Sequence, residues 1–213
     1  VLKAVKRVDS LLDDKKRYRF FKTEAPHQKI KADVIYIEGD GVRVKTTSGD
    51  ERSNTDLAHF LVHTGSKRIA PNRFILENKY EIIDVDYELA RDNLLDYLYN
   101  HFQITDKTVL ISNSDNGAGY TKQVFTNIKK ALGIKRHEHF WDLYHVNDLI
   151  KTTLRPYSPE LRNSFFKAIK EHDLGLLKTS LDTFESLMDS EEELERFLIF
   201  KRRLMRGFKD TKP

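Results

Sequence analysis

Apolar residues in this chain repeat with two different periods, and the first change comes at about Asp86. Before it, ADVIYIEGDGVRVKTT (32–47), DLAHFLVHTG (56–65) and NKYEIIDV (78–85) alternate or run apolar as strands do. The stretches between them carry Ser, Asn, Gly, Asp or Pro, which predicts an antiparallel meander whose first strand is interrupted at Gly39-Asp40-Gly41. After it, Asp86 is a good N-cap, and Ala90, Leu94, Tyr97 and Leu98 mark one helical face. TVLIS (108–112) reads as a buried strand, Val124, Ile128, Ala131 and Leu132 as a helix stopped by Gly133, and IKRHEHFW (134–141) as a fifth strand. The rest is helical: 142–154, then 159–171 opened by Ser158-Pro159, then 174–188, then 191–206 with a capping box from Ser190 to Glu193.

The order β-β-β-α-β-α-β predicts an α/β protein with a mixed sheet, its later strands added through right-handed crossovers. It is the order of the ribonuclease H-like fold, here followed by a C-terminal all-helical region. The expected division is a basic lead-in over 1–30, a core over 31–142 and helices over 143–213. Leu174, Leu177, Leu181, Phe184 and Met188 form a stripe that either packs inside the domain or pairs with a second copy.

Composition narrows the classes. The 213 residues include no cysteine, which excludes disulfides and Cys-ligated zinc. No run approaches the roughly 20 apolar residues needed to span a bilayer, and no signal peptide opens the chain. A cytoplasmic protein is expected. The 37 basic and 33 acidic residues leave a net charge of +4, compatible with a polyanion partner. Among the lead-in cations, Lys3, Lys6, Arg7, Lys15, Lys16, Arg17, Arg19 and Lys22 read as a solvated face or as a DNA-contacting arm. The first residue is Val, and the last five, Lys-Asp-Thr-Lys-Pro, close no element, so a fragment of a longer protein is expected.

The chemistry centres on VLISNSDNGAGYTKQVF (109–125), where a buried strand delivers Asp115 into a glycine turn. In the expected sheet, strands one and four are neighbours, which sets Asp40 beside Asp115. Close carboxylates repel unless a cation lies between them. Their hard oxygens suit Mg2+ or Mn2+, and paired ions about 4 Å apart are the basis of two-metal phosphoryl chemistry. Glycines at 39, 41, 117 and 119 would let a nucleic-acid backbone come close. Taken singly, each aspartate also reads as a turn residue or cap. Asp33 and Glu38 are weaker rivals. Gly117-Ala-Gly119 is no dinucleotide loop, because Lys122 stands where the third glycine is required. In HEHFWDLYH (137–145), His137, His139, Asp142 and His145 are an imaginable metal set, but Asp142 also reads as an N-cap, and His137 and His139 as solvent-facing beside Lys135 and Arg136.

IEGDGVRVK, DLAHFLVHTGSK, ISNSDNGAGYT and EHFWDLYHVN, in that order, resemble a family of bacterial insertion-sequence transposases, the Lre-type group, itself similar to the Mutator-like DDE transposases. The resemblance runs from about residue 30 to the end. It implies a ribonuclease H-like catalytic core with Asp40 and Asp115 as its first two acids, both metal-binding. Asp142-Leu-Tyr-His145 corresponds to a [C/D]-x-x-H signature that supports the active site or the DNA. It also implies a bacterial cytoplasmic enzyme that cleaves DNA and transfers the strand, acting as a homo-oligomer on element ends and target. The third acid, a glutamate, is expected after the helical insertion and beyond Pro213, because Glu171, Glu185, Glu191, Glu192, Glu193 and Glu195 read as solvated faces and caps. The fragment alone would then be inactive. Lys129, Lys130, Lys135, Arg136, Lys201, Arg202, Arg203 and Arg206 are the candidate phosphate contacts. Two other functions fit: a ribonuclease H-like nuclease that only hydrolyses, and a nucleic-acid-binding or assembly module without chemistry.

Overall fold

The computed structural model describes residues 28–48 and 51–212. Most of the basic lead-in, 1–27, lies outside the described residues. The long strands β1 (Val34–Ser48) and β2 (Glu51–His63) pair antiparallel. A hairpin of β3 (Gly65–Ala70) and β4 (Arg73–Glu77) follows, then β5 (Tyr80–Asp84). Helix α1 (Tyr87–His101) leads to β6 (Val109–Ser114), and α2 (Lys122–Ala131) to β7 (Arg136–Trp141). Four helices come next: α3 (Leu143–Thr153), α4 (Pro159–Lys170), α5 (Leu174–Glu185) and α6 (Glu191–Gly207). A 3-10 turn, Phe208–Asp210, ends the described fold.

The chain is thus a mixed α/β protein. Its five-stranded sheet runs β5-β2-β1-β6-β7, antiparallel on the β5-β2-β1 side and parallel from β1 to β7. The expected order of elements is found, with two strands added. The β3–β4 hairpin fell in a stretch read as turns, because only Leu76 and Gly65 are even partly shielded and no inside-outside alternation marks it.

The first strand is not interrupted at Gly39-Asp40-Gly41. It pairs straight through, with Gly39 opposite Phe60, Asp40 opposite His59 and Gly41 opposite Ala58. The glycine is there for packing. A Cβ on Gly39 would lie 2.7 Å from Tyr120 Cδ1 and 2.9 Å from Phe125 Cζ, and both rings are buried. Gly39→Val should therefore destabilise the protein by about 1–3 kcal/mol, read from urea unfolding, because the rings have nowhere to move.

One face of the sheet carries Ile35, Ile37, Phe60, Val62 and Leu110, which α1 covers with Ala90, Leu94 and Leu98, and α2 with Phe125 and Ile128. Tyr36, Glu38 and Asp40 alternate with those β1 residues and so occupy the other face, outside this cluster. A second cluster joins Trp141 to α3–α6 through Val146, Ile150, Phe165, Leu181, Phe184, Phe197 and Leu204. The stripe on α5 turns inward: Leu177, Leu181 and Phe184 are buried in this cluster, while Leu174 is exposed. Side-chain caps define the helices as the sequence predicts. Asp86 accepts from Glu88 N and Leu89 N, Ser158 from Leu161 N, and Ser190 from Glu193 N. No helix among the described residues is long and apolar enough to cross a membrane.

Candidate acid centre

β1 and β6 are parallel neighbours whose last ladder pair is Gly39 with Ser114. Asp40 and Asp115 are each the next residue. They continue the face of Glu38 and Asn113, which are also paired. Asp40, Asp115, Asp142 and His145 all line one cavity of about 200 Å³, with Glu38, His59 and Asn113.

Each side chain is placed by local hydrogen bonding. The Gly117 N–H donates to Asp115 Oδ1 at 2.8 Å. A Cβ on Gly117 would lie 2.6 Å from Asp115 Oδ2, so the carboxylate folds over its own turn only because that residue is glycine. Ser114 Oγ donates to Tyr120 O at 2.5 Å and accepts from Asn116 N at 3.3 Å, which closes the turn from below. Asp142 Oδ1 accepts from Tyr144 N at 2.8 Å and caps α3. One turn along that helix, His145 Nε2 lies 3.7 Å from Asp40 Oδ2. Asp142-Leu-Tyr-His145 is thus a cap followed by a histidine close to Asp40. The glycines serve these contacts, with Gly39 and Gly117 set by Tyr120, Phe125 and the Asp115 carboxylate.

Three neighbours escaped sequence reasoning. His59 stands opposite Asp40, and its buried Nε2 has no hydrogen-bond partner among the described residues. Antiparallel register was the only signal that could have found it. Asn113 shares the Asp115 face by simple alternation. The Tyr120 hydroxyl accepts from His59 N at 3.2 Å, and burial, then the nearby Asp40 and Asp115 charges, raise its pKa above the ordinary phenol value.

His137 and His139 are not solvent-facing. They lie on the helix-covered face, with His139 buried and His137 half-buried. Strand alternation places them there with Ser112, opposite in β6, whereas Arg136 and Glu138 face outward. Ser112 Oγ is 2.8 Å from His137 Nε2 and 2.7 Å from His139 Nδ1, and His139 Nε2 is 2.9 Å from Asn116 Oδ1. Asn116 Oδ1 can only accept, so His139 carries its proton on Nε2 and receives the Ser112 hydroxyl at Nδ1. HEHFWDLYH is therefore split between two faces. Among the described residues no three His, Cys, Asp or Glu side chains form a metal-holding group.

Burial pushes both histidines down from 6.5 to about 4. Unfolded, each binds a proton near pH 6.5; folded, it refuses one until pH nears 4. Their contribution is therefore complete above pH 6.5 and falls away as pH drops toward 4. Stability should fall in that window with a slope of up to about 1.4 kcal/mol per pH unit for each histidine. Urea midpoints against pH, with the imidazole NMR shifts, check this. Titration of both rings near 6.5 would refute the burial argument.

The candidate phosphate contacts are not gathered at the acids. Lys129 and Lys130 are in the last turn of α2, and Lys135 and Arg136 lie at the start of β7. That is a strand length, about 20 Å, from the Asp142 end. Lys135 pairs with Asp106 at 3.0 Å, Arg136 with Glu138 at 3.4 Å and Lys201 with Glu185 at 2.6 Å. Arg202 is exposed, while Arg203 and Arg206 line a second cavity. Of the candidate third acids none lines the acid cavity: Glu192 pairs with Arg196, and Glu193 accepts from Asp189 N at 3.1 Å.

A curated relative, the "UPF0236 protein in vanSb 3'region" of Streptococcus gallolyticus, is 29% identical over 195 residues. The match takes in 90% of this chain and 42% of the relative, so the chain spans less than half of that protein's length. The sequence profile of the uncharacterised protein family UPF0236 matches residues 3–210. That span holds all the residues of the acid cavity and both hydrophobic cores, and on this match the chain belongs to the uncharacterised protein family UPF0236.

Proposed function

We propose that this chain carries the acid centre of a DDE-type transposase, a ribonuclease H-like core that cleaves DNA and joins the freed 3′-hydroxyl to a target strand. The observation that carries the reading is the pairing of Asp40 and Asp115, one residue beyond the last rung of two parallel strands and in one cavity with Asp142 and His145. Fold alone would not support this reading; it rests on the side chains.

Two carboxylates at adjacent strand ends suit a hard divalent ion, Mg2+ or Mn2+, in their donor chemistry. Such an ion, when bound, lowers the pKa of an attacking water and offsets charge on the scissile phosphate. Asp40 and Asp115 would hold it. His145, 3.7 Å from Asp40, stands beside that carboxylate. The reading takes its third acid, a glutamate, from outside the described residues. It also implies a homo-oligomer on DNA in a bacterial cytoplasm.

The test is a Mn2+ titration read by paramagnetic broadening of backbone NMR signals. Broadening centred on Asp40 and Asp115, and lost in both Asp40→Ala and Asp115→Ala, is expected. Broadening that survives both substitutions would sink the acid centre. That no three His, Cys, Asp or Glu side chains among the described residues form a metal-holding group favours a second reading, a nucleic-acid-binding module without chemistry, which predicts DNA binding indifferent to divalent ions.

A further inference from the structure

We propose that the second cavity, between the start of α2 and the end of α6, is a phosphate site. It encloses about 220 Å³ and is lined by Lys122, Arg203, Arg206, Lys209, Asp210 and Trp141. The single carboxylate is already matched: Asp210 Oδ1 accepts from Lys122 Nζ at 2.7 Å, and its side chain is only 8% exposed. Among the described residues Arg203, Arg206 and Lys209 pair with no carboxylate. The cavity therefore holds excess positive charge facing solvent.

Two further features point to an anion. Helix α2 opens here on Thr121, which makes no side-chain cap, and its first turn has no acidic residue. Its first N–H groups and the positive end of its dipole are thus uncompensated. Independently, Trp141, which lines the cavity, is 2% exposed, and its Nε1 is buried with no acceptor among the described residues. A buried donor left unpaired is costly, and a bound oxyanion nearby would relieve it. Arginine forks, a lysine and helix amides from several elements suit a phosphate-type oxyanion.

The two cavities share no lining residue but meet at neighbouring chain positions. Asp115 lines the acid cavity and Asn116 this one; Asp142 lines the first and Trp141 the second. A phosphate held here would lie against Asn116 and Trp141, each one residue along the chain from a residue of the acid cavity. That its owner is a nucleic-acid backbone rests on the transposase reading; the oxyanion site itself does not.

Trp141 is the only tryptophan in the chain, so its fluorescence reports this cavity directly. The titrants are sodium phosphate and a short single-stranded oligodeoxynucleotide, with EDTA present and sodium chloride at matched ionic strength as control. A saturable change with either, weakened about tenfold or more in the exposed double variant Arg203→Gln/Arg206→Gln, is expected. Response to the oligonucleotide alone identifies a backbone phosphate; response to both identifies a site that also takes free phosphate. No response beyond the chloride control, or one that the double variant keeps in full, overturns the proposal. Asp40→Ala should respond as the parent does, so failure of the acid centre and failure of this site are read separately.

Discussion

Replacing Asp40 with Asn is expected to remove metal-dependent DNA cleavage by at least about 10²-fold, in a protein that supplies the third acid, while the urea midpoint stays level or rises. The two outcomes come from one cause. Among the described residues no hydrogen bond to the Asp40 carboxylate holds it in the fold; its neighbours are His145 at 3.7 Å and, one strand away, Asp115. Without a cation, two carboxylates at adjacent strand ends repel, so neutralising one relieves the folded state. A turn or cap residue behaves in the opposite way, because its loss leaves backbone donors unpaired. Asp115→Asn should cost equal activity, and its amide oxygen can still accept from Gly117 N–H, so its stability should change little. A clear loss of midpoint in Asp40→Asn would return that residue to a structural role. Cleavage assays beside urea curves make the distinction.

Phe184→Ala should cost about 3–5 kcal/mol. Phe184 is 2% exposed, and the rings of Tyr157, Phe165, Phe197 and Phe200 surround it at centroid distances of 4.8, 6.3, 5.1 and 5.9 Å. Three of these contacts are edge-on at 82° or more, a geometry that adds to simple burial. Those rings come from α4, α6 and the segment before α4, so one truncation loosens the whole helical cluster. The loss should appear in chemical denaturation followed by far-UV circular dichroism. A cost under about 1 kcal/mol would mean that the cluster repacks and that Phe184 is not its centre.

What could be read from the sequence divides by mechanism. Helix starts were legible because capping is local: Asp86, Ser158 and Ser190 announce themselves within three residues. The two aspartates were legible as a pair once the strand order was inferred, since neighbouring parallel strands bring their ends together. Other features depend on partners far along the chain. Gly39-Asp40-Gly41 looked like a break because glycine disfavours strands, yet Tyr120 and Phe125 require it there. His137 and His139 looked like surface residues beside Lys135 and Arg136, until Ser112 and Asn116 supplied the polar partners that burial demands. The cations grouped in sequence as Lys135-Arg136 and Lys201-Arg202-Arg203 because neighbours in a chain look like neighbours in space. A strand carries the first pair to the far end, and a helix turns its members to different sides, leaving Arg203 and Arg206 in the second cavity.

The chain leaves the sheet at Trp141 and comes back to it at Gly207–Asp210. Gly207 abuts the Trp141 ring, and Asp210 reaches Lys122 at 2.7 Å. Helices α3–α6 are therefore a detour whose two ends meet at one place. A detour of that kind can lengthen, shrink or be exchanged over evolutionary time while the spacing of the strand-end aspartates stays fixed. Relatives should differ most in size between these two anchor points, and swapping the helices for a short tether is the cut most compatible with keeping the sheet intact.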